Sequence, residues 1–109
     1  MNKPVIGFAG MTHLGINSAV ASAEKSFHTI GFDQNQKLIS ELQSGMTHIT
    51  EPDLSEKLRK NSDQLEFSSA AKILKKCNIV YISLDIPTDD KGTSDLSPVR
   101  DMVDIVNNN

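Results

Sequence analysis

The sequence predicts an α/β domain with a Rossmann-type, doubly wound parallel sheet. An apolar strand, Pro4 to Ala9, runs directly into a glycine-rich turn, and a helix of small residues, Ile16 to Lys25, follows it. A second strand, His28 to Phe32, ends in the acidic residue Asp33. Strands that alternate with helices imply parallel pairing and right-handed crossovers. Residues 1–109 are therefore interpreted as one N-terminal dinucleotide-binding domain or part of one.

Two helices are expected after the second strand. The stretch Gln34 to Ser44 carries an apolar stripe at helical spacing, and Gly45 is a suitable C-terminal cap. After a connector, a short helix is expected to open at Pro52, because the first helical turn does not need the missing N–H of proline. This helix is expected to run to about Lys60.

The second half of the chain continues the alternation. The expected elements are a strand Leu65–Phe67, a helix Ala70–Lys76, a strand Asn78–Leu84, a polar loop Asp85–Thr93 and a helix that ends near Val106. Ser68 or Ser69 suits the N-cap of the first helix, and the pair Ser97-Pro98 suits the start of the second. Four strands are visible, and the last helix ought to feed a fifth, so the sheet is expected to be truncated after about four strands.

Composition narrows the class of partner. The chain of 109 residues has a net charge of −3, which gives no basic surface for nucleic acid or anionic membrane. No apolar run approaches the roughly 18 residues of a membrane span. The single cysteine, Cys77, excludes an internal disulfide, and this fits a reducing compartment. We therefore expect a cytoplasmic protein with neither nucleic acid nor membrane as a partner.

The turn after the first strand has the form of a phosphate-binding turn. Gly10, Thr12 and Gly15 occupy the three positions of the pattern G-x-G-x-x-G. The backbone N–H groups of His13, Leu14 and Gly15 are then expected to meet a pyrophosphate at the positive helix end. Thr12 replaces the second glycine, so its Cβ would push the pyrophosphate outward, while its hydroxyl could donate a compensating hydrogen bond. The alternative is a turn whose glycines serve packing only.

The second strand ends in a candidate ribose ligand. Asp33 lies 23 positions after Gly10, close to the spacing of roughly 20 for the acid that binds the adenosine ribose. Its carboxylate would accept hydrogen bonds from the ribose hydroxyls and repel a 2′-phosphate, so NAD is favoured over NADP. The alternative is a helix cap, because Asp33 followed by Gln36 is typical of a capping box. The two roles can coexist.

With these residues placed, the chain resembles the N-terminal domain of the UDP-glucose/GDP-mannose dehydrogenase family from about Pro4 to Val106. Three further segments carry the resemblance. The first is Ala23-Glu24-Lys25 in the first helix. The second is Ser44-Gly45 followed by Glu51-Pro52-Asp53-Leu54, which is similar to the family's S-G and E-P-G-L connector. The third is Asp89 to Ser97, which is similar to its D-x-x-G-x-x-D-L-S loop.

The resemblance implies an NAD-dependent oxidation of a nucleotide sugar, from primary alcohol to carboxylate, in two hydride transfers. It implies that the catalytic cysteine and lysine lie in later segments, so none of the catalytic residues is expected in this chain. Cys77 is interpreted as an inert, half-buried thiol. The nucleotide sugar would bind through the missing segments, and the full-length protein would be a homo-oligomer.

The chain departs from the family pattern on the nicotinamide side. Leu84, Asp85 and Ile86 are expected to flank the cofactor, where the family reads V-P-T-P. Leu38 stands where a basic residue is expected, with Lys37 one position away. These departures motivate a second hypothesis, a non-catalytic nucleotide-binding or regulatory module. A Rossmann methyltransferase is a third, disfavoured by the pyrophosphate-type turn.

Overall fold

The computed structural model describes residues 3–46, 53–84 and 97–108. Their elements are β1 (Ile6–Ala9), α1 (His13–Glu24), β2 (Thr29–Phe32), α2 (Gln36–Gln43), α3 (Leu54–Lys60), β3 (Leu65–Ser68), a 3-10 helix (Ala71–Lys76), β4 (Ile79–Ile82) and α4 (Ser97–Asn107). The strands form one parallel sheet in the order β3-β2-β1-β4. The predicted parallel α/β architecture is confirmed.

Helices cover both faces of the sheet, because neighbouring strand residues point to opposite sides. Phe8 of β1 and Phe67 of β3 pack against α1, α2 and α3 on one face. Ala9 and Phe32, at the ends of β1 and β2, pack against the 3-10 helix and α4 on the other. The carboxyl ends of the central strands therefore open between two helical layers, which is where ligands bind in sheets of this type.

Helix α1 and the helix after β3 differ from the helices predicted from the sequence. Helix α1 begins at His13, three residues before the expected start, because Thr12 is its N-cap. The helix expected over Ala70–Lys76 is present as a 3-10 helix, Ala71–Lys76. No side chain caps it at Ala70, and i to i+3 bonds such as that from the Cys77 amide to the Leu74 carbonyl close it. Ser68 still bonds the Ala70 amide, at 3.0 Å.

The C-terminal cap of α2 is confirmed. The amide of Gly45 donates to the Leu42 carbonyl at 3.0 Å, and the amide of Met46 donates to Glu41 at 2.9 Å. This pair of bonds is a Schellman motif. The expected helix start at Pro52 is wrong, because α3 begins at Leu54 and its N-cap, Asp53, has a left-handed backbone with φ +70°. The expected end near Lys60 is confirmed. The expected loop Asp85–Thr93 lies outside the described residues.

Candidate functional site

The turn between β1 and α1 has the two glycine geometries that the sequence pattern predicts. Gly10 has a φ of +112°, a conformation that residues with a side chain rarely adopt. Gly15 is buried in the first turn of α1, and a Cβ there would overlap the carbonyl oxygen of Gly10. Gly10 thus turns the chain out of the strand, and Gly15 lets the helix lie directly against the turn.

Thr12 has a different role from the one its sequence position indicated. Its backbone is extended, with φ −74° and ψ 177°, so a side chain causes no strain there. Its hydroxyl oxygen accepts a bond from the Gly15 amide at 3.2 Å, and its proton is donated to the Ser83 carbonyl at 2.6 Å. The Gly15 amide is therefore not free in this structure, and the Thr12 hydroxyl bonds within the protein. The contacts of both residues with a pyrophosphate stay predictions.

His13 and Leu14 form the exposed opening of α1. Leu14 has 59% of its surface accessible, and no acidic residue lies in the first turn. The positive end of the helix dipole therefore faces solvent without a neutralising carboxylate on its own first turn. The Leu14 amide has no acceptor among the described residues. This end of the helix has the electrostatic character of an anion site.

Ser83 ties the turn to the end of β4. Its side chain is 4% exposed, and its hydroxyl donates to the carbonyl of Gly10 at 2.7 Å. Its amide donates to the Ala9 carbonyl at 2.9 Å, continuing the β1–β4 pairing. Ser83 was not among the residues predicted for the site. The signal was present as one small polar residue directly after the apolar run Ile79–Ile82.

Asp33 joins the end of β2 to the same turn. Its Oδ2 atom accepts a hydrogen bond from the Met11 amide at 2.8 Å, and its Oδ1 atom accepts one from the Asn35 amide at 2.9 Å. The capping-box alternative is wrong, because Asn35 is the N-cap of α2 and accepts from the Leu38 amide at 3.1 Å. Each carboxylate oxygen still has a lone pair for a further donor.

Two clefts meet at Asp33. A cleft of about 430 Å³ extends toward α2, and Thr12, Lys37 and Leu38 line it with Asp33. A narrower one of about 260 Å³ extends toward α4 on the other face of the sheet. Leu84, predicted to flank a cofactor, is one of the residues that line the narrower cleft. The expected neighbours Asp85 and Ile86 lie outside the described residues.

These features fit the adenosine half of a dinucleotide. Three features lie at one edge of the sheet. They are a helix end with anion-binding character, a fixed carboxylate with spare lone pairs, and clefts on both sides of that carboxylate. The side chain of Thr12 occupies the space that a second glycine would leave open beside the turn.

Cys77 lies away from this edge. It is half-buried at the C-terminal end of the 3-10 helix, before β4, with its sulfur against Gly7 of β1. Burial raises the pKa of the Cys77 thiol, and the Glu66 carboxylate raises it further. Glu66 also lies 3.5 Å from both the His28 ring and the Lys76 ammonium group.

The part of the chain that the structure describes contains no group of three or more metal-ligating side chains. None of the helices described there is long and apolar enough to cross a membrane.

Comparison with known proteins identifies relatives with this arrangement. Residues 4–109 match the model of the UDP-glucose/GDP-mannose dehydrogenase family, NAD binding domain. The UDP-N-acetyl-D-glucosamine 6-dehydrogenase of Pseudomonas aeruginosa is 31% identical over 86% of this chain and 22% of its own length. The UDP-glucose 6-dehydrogenase YwqF of Bacillus subtilis is 31% identical over 93% of this chain and 23% of its own length.

Solved structures give the same result. The UDP-glucose dehydrogenase of Pyrobaculum islandicum superposes with a TM-score of 0.89 and 26% identity, over 96% of this chain and 25% of that one. The GDP-mannose dehydrogenase of Pseudomonas aeruginosa shares the fold at a TM-score of 0.86 and 20% identity, over 93% of this chain and 24% of that one. The chain spans about a quarter of the length of these relatives.

Proposed function

Since its residues 4–109 match the NAD-binding domain model, the chain belongs to the UDP-glucose/GDP-mannose dehydrogenase family, and we propose that it serves as the NAD-binding part of an enzyme that oxidises a nucleotide sugar. The reaction would take the primary alcohol of a UDP- or GDP-sugar to the uronate. One observation carries the proposal. The Met11–Asp33 hydrogen bond holds the turn before α1 and the carboxylate after β2 together at one edge of the sheet, as the binding of one dinucleotide by both would require.

The chain's own residues would bind and orient the cofactor. The first turn of α1, at His13 and Leu14, would hold the pyrophosphate against Gly10, with Thr12 and Gly15 fixing the shape of the turn. Asp33 would accept hydrogen bonds from the ribose hydroxyls. Leu84, and beyond it Asp85 and Ile86, would flank the cofactor. Bound NAD would supply the hydride acceptor, and the segments that hold the sugar would come from the remainder of a longer protein.

Asp33 would also select between the two nicotinamide dinucleotides. An ionised carboxylate accepts a hydrogen bond from the 2′-hydroxyl of NAD. It would repel the 2′-phosphate of NADP, because both groups are negatively charged. Both carboxylate oxygens already accept backbone amides, so the group cannot rotate away from that phosphate without losing those bonds. The selection for NAD would therefore come from a carboxylate that is fixed by the turn.

The proposal extends to the wider setting of the complete protein. A nucleotide-sugar oxidation would supply uronate units for polysaccharide biosynthesis in the cytoplasm, and the complete protein would be a homo-oligomer. The net charge of −3 and the single cysteine are compatible with this setting. A second candidate, a regulatory module that binds a nucleotide without chemistry, is favoured by one contact. The Thr12 hydroxyl is committed to Ser83 and leaves its methyl and Cβ beside the pyrophosphate position.

Calorimetric titration of the 109-residue chain with NAD and NADP tests the proposal. We expect NAD to bind in the micromolar to millimolar range and NADP at least about tenfold more weakly, equivalent to about 1.4 kcal/mol. Asp33→Asn should weaken NAD binding and remove most of the preference. Glu41→Gln, at a carboxylate in the wider cleft, is the matched control and should keep the preference. Binding of neither dinucleotide would refute the proposal, and so would oxidation of UDP-glucose by this chain alone.

A further inference from the structure

The peptide group between Gly10 and Met11 is held by hydrogen bonds at both of its polar ends. Its carbonyl oxygen accepts the bond from the Ser83 hydroxyl at 2.7 Å, and its N–H donates to the Oδ2 atom of Asp33 at 2.8 Å. A trans peptide group is planar, and its C=O and N–H point in opposite directions. One rigid unit after β1 therefore connects Ser83, which follows β4, to Asp33, which follows β2.

The Gly10 carbonyl depends on the Ser83 hydroxyl. Gly10 is buried, and the side chain of Ser83 is 4% exposed. The other acceptor near this hydroxyl, the carbonyl of Ala9, lies 3.4 Å away, so the bond to Gly10 is the shorter of the two. Buried carbonyl groups are nearly always hydrogen-bonded, and loss of the donor is costly. The Ser83 hydroxyl is therefore a restraint on the orientation of this peptide group.

A glycine at position 10 makes that restraint important. With a φ of +112° and no Cβ, Gly10 hinders rotation of the peptide group that follows it less than another residue would. Rotation of a planar group moves its carbonyl and its N–H together, so loss of the Ser83 bond would also misalign the Met11 N–H. The Asp33 carboxylate would keep the bond from the Asn35 amide and could turn about it.

We infer that Ser83 is a positioning residue for cofactor selection. Through the peptide group of Gly10 and Met11, its hydroxyl holds the Asp33 carboxylate in the orientation that disfavours the 2′-phosphate of NADP. Hydrogen bonds in a chain polarise one another, so the donor at the carbonyl also strengthens the bond from the N–H to the carboxylate. The inference rests on the proposed NAD binding and assigns Ser83 a role within it.

Thr29 provides a matched control at the opposite end of β2 from Asp33. It is fully buried, and its hydroxyl lies 2.8 Å from the Ser22 hydroxyl and 3.0 Å from the Phe27 carbonyl. Thr29→Val therefore removes a buried, hydrogen-bonded hydroxyl, as Ser83→Ala does. A general loosening of the domain would weaken the binding of NAD and NADP alike in either variant. Loss of positioning would change the ratio of the two affinities, and only in the Ser83 variant.

Calorimetric titration of the 109-residue chain and its variants with NAD and NADP tests the inference. We expect NAD to be preferred at least about tenfold by the wild type and by Thr29→Val, and about threefold or less by Ser83→Ala. Ser83→Cys has a weaker donor of similar size and should give an intermediate ratio. Thr12 bonds the backbone carbonyl of Ser83, so substitution of the Ser83 side chain does not remove that bond.

The amide proton of Met11 provides a second measurement, which requires no ligand. A short bond to an ionised acceptor should place its NMR signal downfield in the wild-type chain. In Ser83→Ala the signal should move upfield, toward its position in Asp33→Ala. Thr29→Val should leave it in place, because that substitution affects the other end of the strand.

Three results would overturn the inference and leave the proposed function intact. They are a wild-type NAD preference in folded Ser83→Ala or Ser83→Cys, an equal fall of the preference in Ser83→Ala and Thr29→Val, and an unchanged Met11 signal in Ser83→Ala. Circular dichroism would establish that each variant is folded. Binding of neither dinucleotide by the wild-type chain would refute the proposed function and this inference with it.

Discussion

The hydroxyl of Thr12 donates a hydrogen bond of 2.6 Å to the carbonyl of Ser83, and this bond connects the first turn of α1 to the end of β4. Ser83 completes the connection, since its own hydroxyl donates to the carbonyl of Gly10. The strands β1 and β4 are neighbours in the sheet, so the turn is held from both of its ends. Thr12, which replaces a glycine of the phosphate-turn pattern, therefore stabilises the turn.

Replacement of Thr12 by valine should destabilise the domain. Valine keeps the shape of threonine but removes the N-cap of α1 and leaves the Ser83 carbonyl without its donor. We expect the free energy of unfolding in urea to fall by about 1–3 kcal/mol. Thr12→Ser keeps the hydroxyl and should stay within about 0.5 kcal/mol of the wild type. Equal stability of the valine and serine variants would show that the two bonds contribute nothing.

Replacement of Thr12 by glycine should separate stability from cofactor affinity. The loss of Cβ opens the space beside the turn, so the pyrophosphate can approach the backbone more closely. We expect NAD to bind up to about tenfold more tightly, while the free energy of unfolding falls by about 1 kcal/mol. Thr12→Ser, which retains Cβ, should not tighten binding. A glycine variant that binds NAD no better than the serine variant would exclude a steric role for this side chain.

The parts of the site that could be predicted are those formed by residues close together in the sequence. The glycine turn and the acid after β2 are signalled by residues close together in sequence, and the structure joins them through the Met11–Asp33 bond. The contact between Thr12 and Ser83 spans 71 positions, so no local pattern could indicate it. For the same reason the Thr12 hydroxyl was expected to contact a pyrophosphate, whereas in the structure it donates to Ser83 at the end of β4.

The fold was predictable for a related reason. Parallel pairing follows from the alternation of strand and helix, and the apolar runs mark β1 and β4 as strands. The apolar run of β4 does not indicate burial, because β4 lies at an edge of the described sheet and exposes Ile79 and Tyr81. Helix ends were less predictable, because several polar residues compete for one cap. Asp33 and Asn35 are both good N-cap residues before α2, and only the backbone geometry assigns the cap to Asn35.

Replacement of Gly15 by alanine should test the packing of α1 against the turn. An added Cβ would overlap the Gly10 carbonyl and lie 2.8 Å from the Ser83 hydroxyl, and these two groups are hydrogen-bonded to each other. We expect a loss of about 1–3 kcal/mol in urea unfolding, in spite of the better helix propensity of alanine. Ser18→Ala, one turn further along α1, should change stability by less than about 0.5 kcal/mol. A Gly15→Ala variant as stable as the wild type would contradict the close approach.

The Cys77 thiol should react slowly with iodoacetamide in the folded protein. Burial raises the pKa of this thiol first, and the Glu66 carboxylate raises it further, so little thiolate is present near neutral pH. We expect the alkylation rate to be at least about tenfold lower than in the urea-unfolded chain at the same pH, with its midpoint at a higher pH. Glu66→Gln should move that midpoint part of the way back, whereas Glu24→Gln, on an exposed face of α1, should not.

The same shift makes stability depend on pH in a defined direction. A thiol whose pKa is higher in the folded state holds its proton more tightly there, so its contribution to stability is complete below the unfolded pKa of about 8.5. That contribution is lost as the pH rises from the unfolded pKa through the folded one. The wild-type chain should therefore lose more stability between pH 8 and pH 10 than a Cys77→Ala variant does. Parallel stability curves for the two proteins over that range, measured by urea unfolding, would show that the thiol is not perturbed by its surroundings.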